Sequence, residues 1–250
     1  MTYTDAHFHL VQCGRFPQFT ADVTDYYACT CAHDRDEFLR QQEMVAVWSD
    51  RRMHIVAAFG IHPQNPVRQN AAFLEELLRT HAIGAIGEAG FDLFTKAFAA
   101  EIVAQEAVWQ VQVELAAAYD VPLVVHARKA QERLFRDAKK LKAVPAVIFH
   151  SFAGSPQDAQ SLLKRGINGF FSFGKPLLNG KKSAIACVRA LPLDRLLLET
   201  DAPFQTLKDE VCTAPEEIAR VYEAAARLRD MAAASLSAQI QANFCAAYGL

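Results

Sequence analysis

Pro122-Leu123-Val124-Val125-His126-Ala127-Arg128 is a short apolar run that stops on a histidine and then an arginine. Its apolar residues do not alternate with polar ones. A strand of this kind is covered on both faces, as in a parallel sheet, whereas an antiparallel sheet with one wet face alternates. Seven further stretches read the same way: Tyr3 to Leu10, Val23 to Cys31, Ile55 to Ile61, Ile83 to Glu88, Ala146 to His150, Ile167 to Ser172 and Arg195 to Glu199. Between and after them, apolar spacing and start signals predict helices over Asp34 to Ser49, Ala71 to His81, Ala100 to Asp120, Arg128 to Lys142, Pro156 to Arg165, Lys181 to Ala190, Pro215 to Asp230 and Ala233 to Tyr248. Eight strand–helix repeats in 250 residues are the arithmetic of an α/β fold of the (β/α)8 TIM-barrel type, one domain spanning 1–250, with an open doubly wound sheet as the other arrangement.

Composition fits a globular chain: 52% hydrophobic and 22% charged. A net charge of -2 argues against a broad basic face for nucleic acid, so any polyanion has to be gripped locally. No run approaches the roughly 18 apolar residues of a membrane span, and Met1-Thr2-Tyr3-Thr4-Asp5 lacks the character of a signal peptide, which implies a cytoplasmic protein. The six cysteines are scattered, and Cys29-x-Cys31 has no partner pair at a zinc-finger spacing, so they read as thiols on a strand. Lys139, Lys140 and Lys142, and Lys181 with Lys182, read as solvated helix faces.

Barrel chemistry sits at the C-terminal strand ends. There the chain places Asp5-Ala6-His7-Phe8-His9, Phe59-Gly60-Ile61-His62-Pro63, Ile86-Gly87-Glu88-Ala89-Gly90-Phe91-Asp92, His126-Ala127-Arg128, Phe149-His150-Ser151 and Glu199-Thr200-Asp201-Ala202-Pro203. Period-2 geometry puts His7 and His9 on one face as a chelating pair, and Glu199 and Asp201 on one side. Converging four histidines (His7, His9, His126, His150) and two carboxylates (Glu88, Asp201) on one mouth would cost several kcal/mol each if they stayed unpaired, on the order of the penalty for buried polar groups. Metal ions relieve that cost. Six ligands exceed one tetrahedral site, which favours two ions sharing a carboxylate.

Taken in order, these motifs, with Phe149-His150-Ser151-Phe152-Ala153-Gly154-Ser155, Ser172-Phe173-Gly174 and a terminal Asn243-Phe244, resemble the TatD-type metal-dependent deoxyribonucleases of the amidohydrolase-like barrel superfamily over nearly the whole chain. The resemblance implies that His7, His9 and Asp201 bind one metal, that His126 and His150 bind the other, and that Glu88 bridges them. It further implies that His62 and Arg128 lie near a substrate phosphate and that Asp5 and Glu199 orient ligands. The implied activity is 3′-to-5′ exonuclease action on DNA or short oligonucleotides, with Asp201 and Glu88 as the catalytic carboxylates and Asp201 guiding a proton from water. Neither a membrane nor an obligate protein partner is expected.

The mixed donor set suits Zn, Mn, Fe or Ni and, with water, Mg. The chain departs from the family pattern at Ala6, Ala127 and Ser151, after Asp92 (Leu93-Phe94-Thr95-Lys96), and at Phe204-Gln205-Thr206. The rings of Phe91, Phe94, Phe152 and Phe204 read as packing residues. His33, His54 and His81 lie outside the motifs and receive no role. Two alternatives stay open at this level. One is a metal-dependent amide, lactone or phosphotriester hydrolase, although strand four ends in Glu88 and not in the lysine that many such barrels carboxylate; the other is a non-catalytic metal-binding scaffold.

Overall fold

A computed structural model describes residues 1–47 and 52–250. Its strands are β1 (Tyr3–Phe8), β2 (Tyr26–Ala32), β3 (Met53–Phe59), β4 (Ala85–Asp92), β5 (Leu123–Arg128), β6 (Val147–Phe149), β7 (Gly169–Phe173) and β8 (Leu196–Leu198). They form one sheet in sequence order, with every adjacent pair from β1 to β8 parallel. This is the (β/α)8 barrel, not the open doubly wound sheet. Its two free edges meet through backbone bonds from Asp201 to the His7 carbonyl (3.0 Å) and from His9 to the Ala202 carbonyl (2.8 Å).

The apolar runs divide between two cores, which is why they do not alternate in polarity. Ala6, Cys29, Cys31, Val124, Ile148, Phe170 and Leu197 pack inside the barrel, while neighbours such as Leu123, Val125, Val147 and Phe149 pack outward against the helices. Small inward residues leave room for Phe244 and Tyr248 of the last helix, Ala233–Tyr248, which close the interior below the mouth. The Tyr248 hydroxyl donates to the Ala6 carbonyl (2.7 Å), and the Asn243 amide donates to the Leu193 and Leu196 carbonyls (2.7 and 2.8 Å). Cys29 and Cys31 lie side by side in this interior as free, buried thiols.

Two register shifts shape the mouth. Between Asp5 and Phe8, β1 spends three steps on two of β2, and between Ile86 and Ala89, β4 spends three on two of β5. Such bulges re-aim side chains. The first turns His7 inward beside the inward Ala6, and the second does the same for Glu88. β1 ends at Phe8 and β8 at Leu198, so His9, Glu199 and Asp201 are carried just beyond strands and not within them. Asp201 adopts a left-handed φ of 55°, so strict two-residue alternation does not govern its direction.

The expected helix over Arg128 to Lys142 is two short helices, Gln131–Arg136 and Ala138–Leu141, meeting at Asp137. The Asp137 carboxylate accepts from the indole of the fully buried Trp109 (2.9 Å). The helix expected over Asp34 to Ser49 runs Arg35–Val47, and the remainder of that expectation lies outside the described residues. Among the described residues no helix is long and apolar enough to cross a membrane.

Candidate metal centre

At the mouth, the Glu88 carboxylate stands between two sets of imidazoles. The nearest nitrogens to Oε2 belong to His33 (3.2 Å), His7 (3.4 Å) and His9 (3.4 Å); those nearest Oε1 belong to His150 (2.8 Å), His126 (3.1 Å) and, further off, His62 (3.8 Å). Asp201 Oδ1 adds a second carboxylate to the first set, 3.5 Å from His7 Nε2 and 3.3 Å from His9 Nε2. The Nε2 atoms of His7 and His9 are themselves 3.1 Å apart. Four overlapping groups of three donors, each with ligand atoms within 4.8 Å of one another, run through this cluster: His7/His9/Asp201, His7/Glu88/His150, His9/His33/Glu88 and His62/Glu88/His126.

The donor set fits divalent metal. Ring nitrogens and carboxylate oxygens converge here on buried side chains, and burial of uncompensated polar groups is costly. A cation shared by the lone pairs resolves the convergence without needing a proton for each contact. Burial opposes charge on Glu88, but His7, His150 and His62 around it outweigh that and hold its carboxyl well below the ordinary value. Burial likewise opposes charge on His7, and Glu88 and Asp201 beside it raise its pKa well above the usual imidazole value.

The second nitrogens of His126 and His7 also have partners, whereas Nδ1 of His9 and of His150 has no hydrogen bond. His126 Nε2 lies 3.2 Å from Asp92 Oδ2, and the fully buried Asp92 is itself fixed by the Gln64 side chain (2.8 Å) and the Phe94 amide (2.8 Å). Carboxylates flank both nitrogens, Glu88 at Nδ1 (3.1 Å) and Asp92 at Nε2; a carboxylate only accepts, so with a cation between Nδ1 and Glu88 the ring proton would sit on Nε2 and be held by Asp92. Cys31 Sγ is 3.5 Å from His7 Nδ1, and Glu199 Oε1 is 3.6 Å from His150 Nδ1 while accepting the Ser151 amide at 2.8 Å. Asp5 reaches no ligand ring. It accepts from the Thr200 amide and hydroxyl (2.9 and 2.6 Å) and the Tyr26 hydroxyl (3.1 Å), with the His7 amide at 3.4 Å, and so ties β1 to the segment after β8.

His62 differs from its neighbours. The Gln64 backbone amide donates to its Nδ1 at 3.2 Å, so the neutral ring carries its proton on Nε2 and presents a donor. Burial holds its pKa well below the usual value, Glu88 notwithstanding. Arg128 extends from the end of β5, with its side chain about half exposed, stacked on the Phe94 ring at 4.1 Å and 3.8 Å from Asp92.

Around the cluster opens a cleft of about 600 Å³, within the roughly 300–1,000 Å³ range of small-molecule sites. His62, Gln64, Arg128, Lys181, Phe204 and Gln205 are on its wall. Lys181 is exposed, as expected of a solvated helix face, and borders this cleft. The four phenylalanines divide: Phe91 and Phe152 are buried packing residues, whereas Phe94 and Phe204 are half exposed, the latter with its ring 5.0 Å from that of His9.

The sequence motifs passed over three residues that the fold brings in. They are His33; Asp92, noted only as a landmark; and Gln205, whose amide donates to Asp201 Oδ2 and to the Ser151 hydroxyl (2.8 Å each). For His33 a signal existed. Cys29, Cys31 and His33 are spaced by two along β2 and its end, so the histidine continues the inward face.

Eight parallel strands with a histidine–carboxylate cluster at their C-terminal ends define a metal-dependent hydrolase barrel. The chain belongs to the TatD related DNase family, whose model matches residues 4–249. It is 34% identical over 180 residues, 69% of this chain and 67% of the relative, to the uncharacterized metal-dependent hydrolase YabD of Bacillus subtilis. It is 35% identical over 164 residues to the 3′-5′ ssDNA/RNA exonuclease TatD of Edwardsiella piscicida, a match covering 61% of this chain and 60% of that protein. The crystal structure of YjjV, a TatD homologue from Escherichia coli K12, superposes with a TM-score of 0.82 at 25% identity, covering 99% of this chain and 98% of the other.

Proposed function

We propose that residues 1–250 act as one hydrolase domain that removes nucleotides from the 3′ end of single-stranded DNA or short oligonucleotides, using two divalent ions. The observation that carries this reading is the division of the imidazoles between the two oxygens of Glu88. His7, His9 and Asp201 would hold one ion, His126 and His150 the other, and Glu88 would bridge. Bound there, the ions would supply positive charge that acidifies a water and polarises a phosphoryl oxygen.

The chain's own residues supply the rest. Asp201 Oδ2 accepts the proton of the attacking water, oriented for this by the Gln205 amide. Water oxygen bonds to phosphorus, the P–O bond to the shortened strand breaks, and the departing oxygen takes up a proton. His62 keeps its Nε2 proton and donates it in a hydrogen bond to a phosphate oxygen, and Arg128 and Lys181 add positive charge at the rim. This local grip is how a chain of net charge -2 holds a polyanion without a basic groove.

Metal-reconstituted protein is assayed on 3′-blocked and unblocked single-stranded oligonucleotides beside an ester, lactone and amide panel, with His126→Ala as the contaminant control. Stepwise loss of nucleotides from the unblocked end, absent in the variant, is expected. Turnover of a panel compound with no nucleotide release would replace the nuclease reading with that of a small-substrate hydrolase.

A further inference from the structure

His33 is the one imidazole of the Glu88 cluster that neither the motifs nor the family pattern brought forward. It follows β2 directly, two residues beyond Cys31, whose thiol stands against His7. The ring is gripped from behind. Its backbone amide donates to Glu37 Oε2 at 2.7 Å, its Nδ1 is 3.6 Å from the same oxygen, and its carbonyl accepts from the Asn70 amide at 3.4 Å. Glu37 is in turn fixed by its own backbone bond to Asp34 Oδ1 (2.9 Å), at the start of the helix Arg35–Val47, and by the Gln12 side chain.

Held this way, His33 turns Nδ1 toward a carboxylate and Nε2 into the cluster. Nε2 is a buried atom with no hydrogen-bond partner, 3.2 Å from Glu88 Oε2, in a ring packed between His9 (5.4 Å) and His62 (4.9 Å). Its donor atom, one from His9 and one from Glu88 all lie within 4.8 Å of one another. The Gln64 amide commits the His62 ring to donating from Nε2, whereas no hydrogen bond commits Nε2 of His33, which has Glu88 at 3.2 Å on one side of the ring and Glu37 at 3.6 Å from Nδ1 on the other. His62 offers a proton there, while Nε2 of His33 is free to give its lone pair to a cation.

We propose that His33 is an additional ligand of the divalent ion held by His7, His9 and Asp201. That pole of Glu88 then has three imidazoles and two carboxylates, against two imidazoles and one carboxylate at the other. The nitrogen-rich pole takes a borderline cation such as Zn2+, Fe2+ or Co2+ in preference to Mg2+, and holds it more tightly than the His126/His150 pole holds its own. The inference rests on the reading of this cluster as a two-ion centre and is independent of the substrate.

The test titrates metal-stripped protein with Co2+, following heat and visible absorption. Wild type is expected to bind two ions of distinct affinity. His33→Ala weakens the tighter one by about 10- to 100-fold, the effect typical of losing a contact that tunes a metal site, and changes its absorption band while the weaker step stays in place. His126→Ala does the reverse. His33→Phe keeps an aromatic ring between His9 and His62 but has no lone pair, so it behaves like His33→Ala if the ring is a ligand. Wild-type affinity in His33→Phe, or superimposable titrations of wild type and His33→Ala, overturns the proposal. No Co2+ bound by wild type would overturn the two-ion reading along with it. Nucleotide release plays no part in the readout, so failure of the nuclease reading shows separately.

Discussion

Asp92 Oδ2 stands 3.2 Å from Nε2 of His126, on the side of the ring away from Glu88. With a cation between Nδ1 and Glu88, the Asp92 carboxylate would hold the ring proton on Nε2. Asp92→Asn keeps the shape but can offer an N–H where an acceptor is needed. The expected outcome is a 10- to 100-fold loss, the order seen for such supporting contacts, in affinity for one ion and in turnover, with thermal unfolding of the metal-free protein little changed. Metal titration beside a steady-state assay checks it.

The segment after Asp201, which carries Phe204 and Gln205 into the cleft, is anchored from below by Lys175. This fully buried lysine pairs with Glu210 and, at 2.9 Å, with Glu217. Replacing Lys175 by Met leaves the two carboxylates only the half-exposed Arg220 as a cation. A lower urea midpoint is expected, because the buried ammonium is lost while its partly exposed partners keep their charge. Urea unfolding measures it, and an unchanged midpoint would show that Arg220, which also reaches both glutamates, suffices alone.

Acid sensitivity should trace in part to Asp137. Burial pushes its carboxyl up, but Arg136 and the Trp109 indole more than offset this, leaving it below the ordinary aspartate value. Such a group binds fewer protons folded than unfolded. It therefore adds stability above the unfolded pKa of about 4 and loses it as pH falls through the folded value. Asp137→Asn should be less stable than wild type by about 1–3 kcal/mol at pH 6, the scale of a charge-assisted hydrogen bond, with the gap closing in acid. Unfolding curves at a series of pH values give the comparison.

Gly90 lies where β4 passes under His126. Its φ is +143°, and a Cβ there would come within 2.0 Å of the His126 carbonyl oxygen. Gly90→Ala must push apart two backbones that hold Glu88 and His126 in place. A loss of about 4 kcal/mol or more is expected, in the exceptional range for one substitution. Failure to accumulate as soluble protein, or a melting temperature far below wild type, would show it; a normal melt would mean the strands can separate at little cost.

Much of this was legible in the chain. The unbroken apolar runs of Pro122 to His126 and Ala146 to His150 announced strands covered on both faces, and their repetition set the number of barrel units. The polar residues that stop those runs, His126, His150, Glu88 and Asp201, are the ones gathered at the mouth. Local reading failed where a local cue was outweighed by distant packing. The helical pattern of Arg128 to Lys142 breaks at Asp137, whose carboxylate is engaged by Trp109 from another helix. Lys181 is exposed, as its helix-start position suggests, and only the chain fold sets it at the rim of the cleft.

The sequence by itself determined the strand count, the order of the elements and the kinds of donor available, because these follow from hydrophobic period and residue chemistry, which are local. Tertiary structure decided where the donors point. The one-residue shifts after Asp5 and Ile86 exist only in the pairing of β1 with β2 and of β4 with β5, and they turn His7 and Glu88 inward against strict alternation. The choice of ring nitrogen in His62 is likewise fixed by Gln64, and Asp92 and Glu37 stand behind the outer nitrogens of His126 and His33. His62 and His33 have those partners within four residues, and His126 takes its own from a neighbouring strand. A hydrogen bond reads position to a fraction of an ångström, and only the folded chain supplies position at that scale.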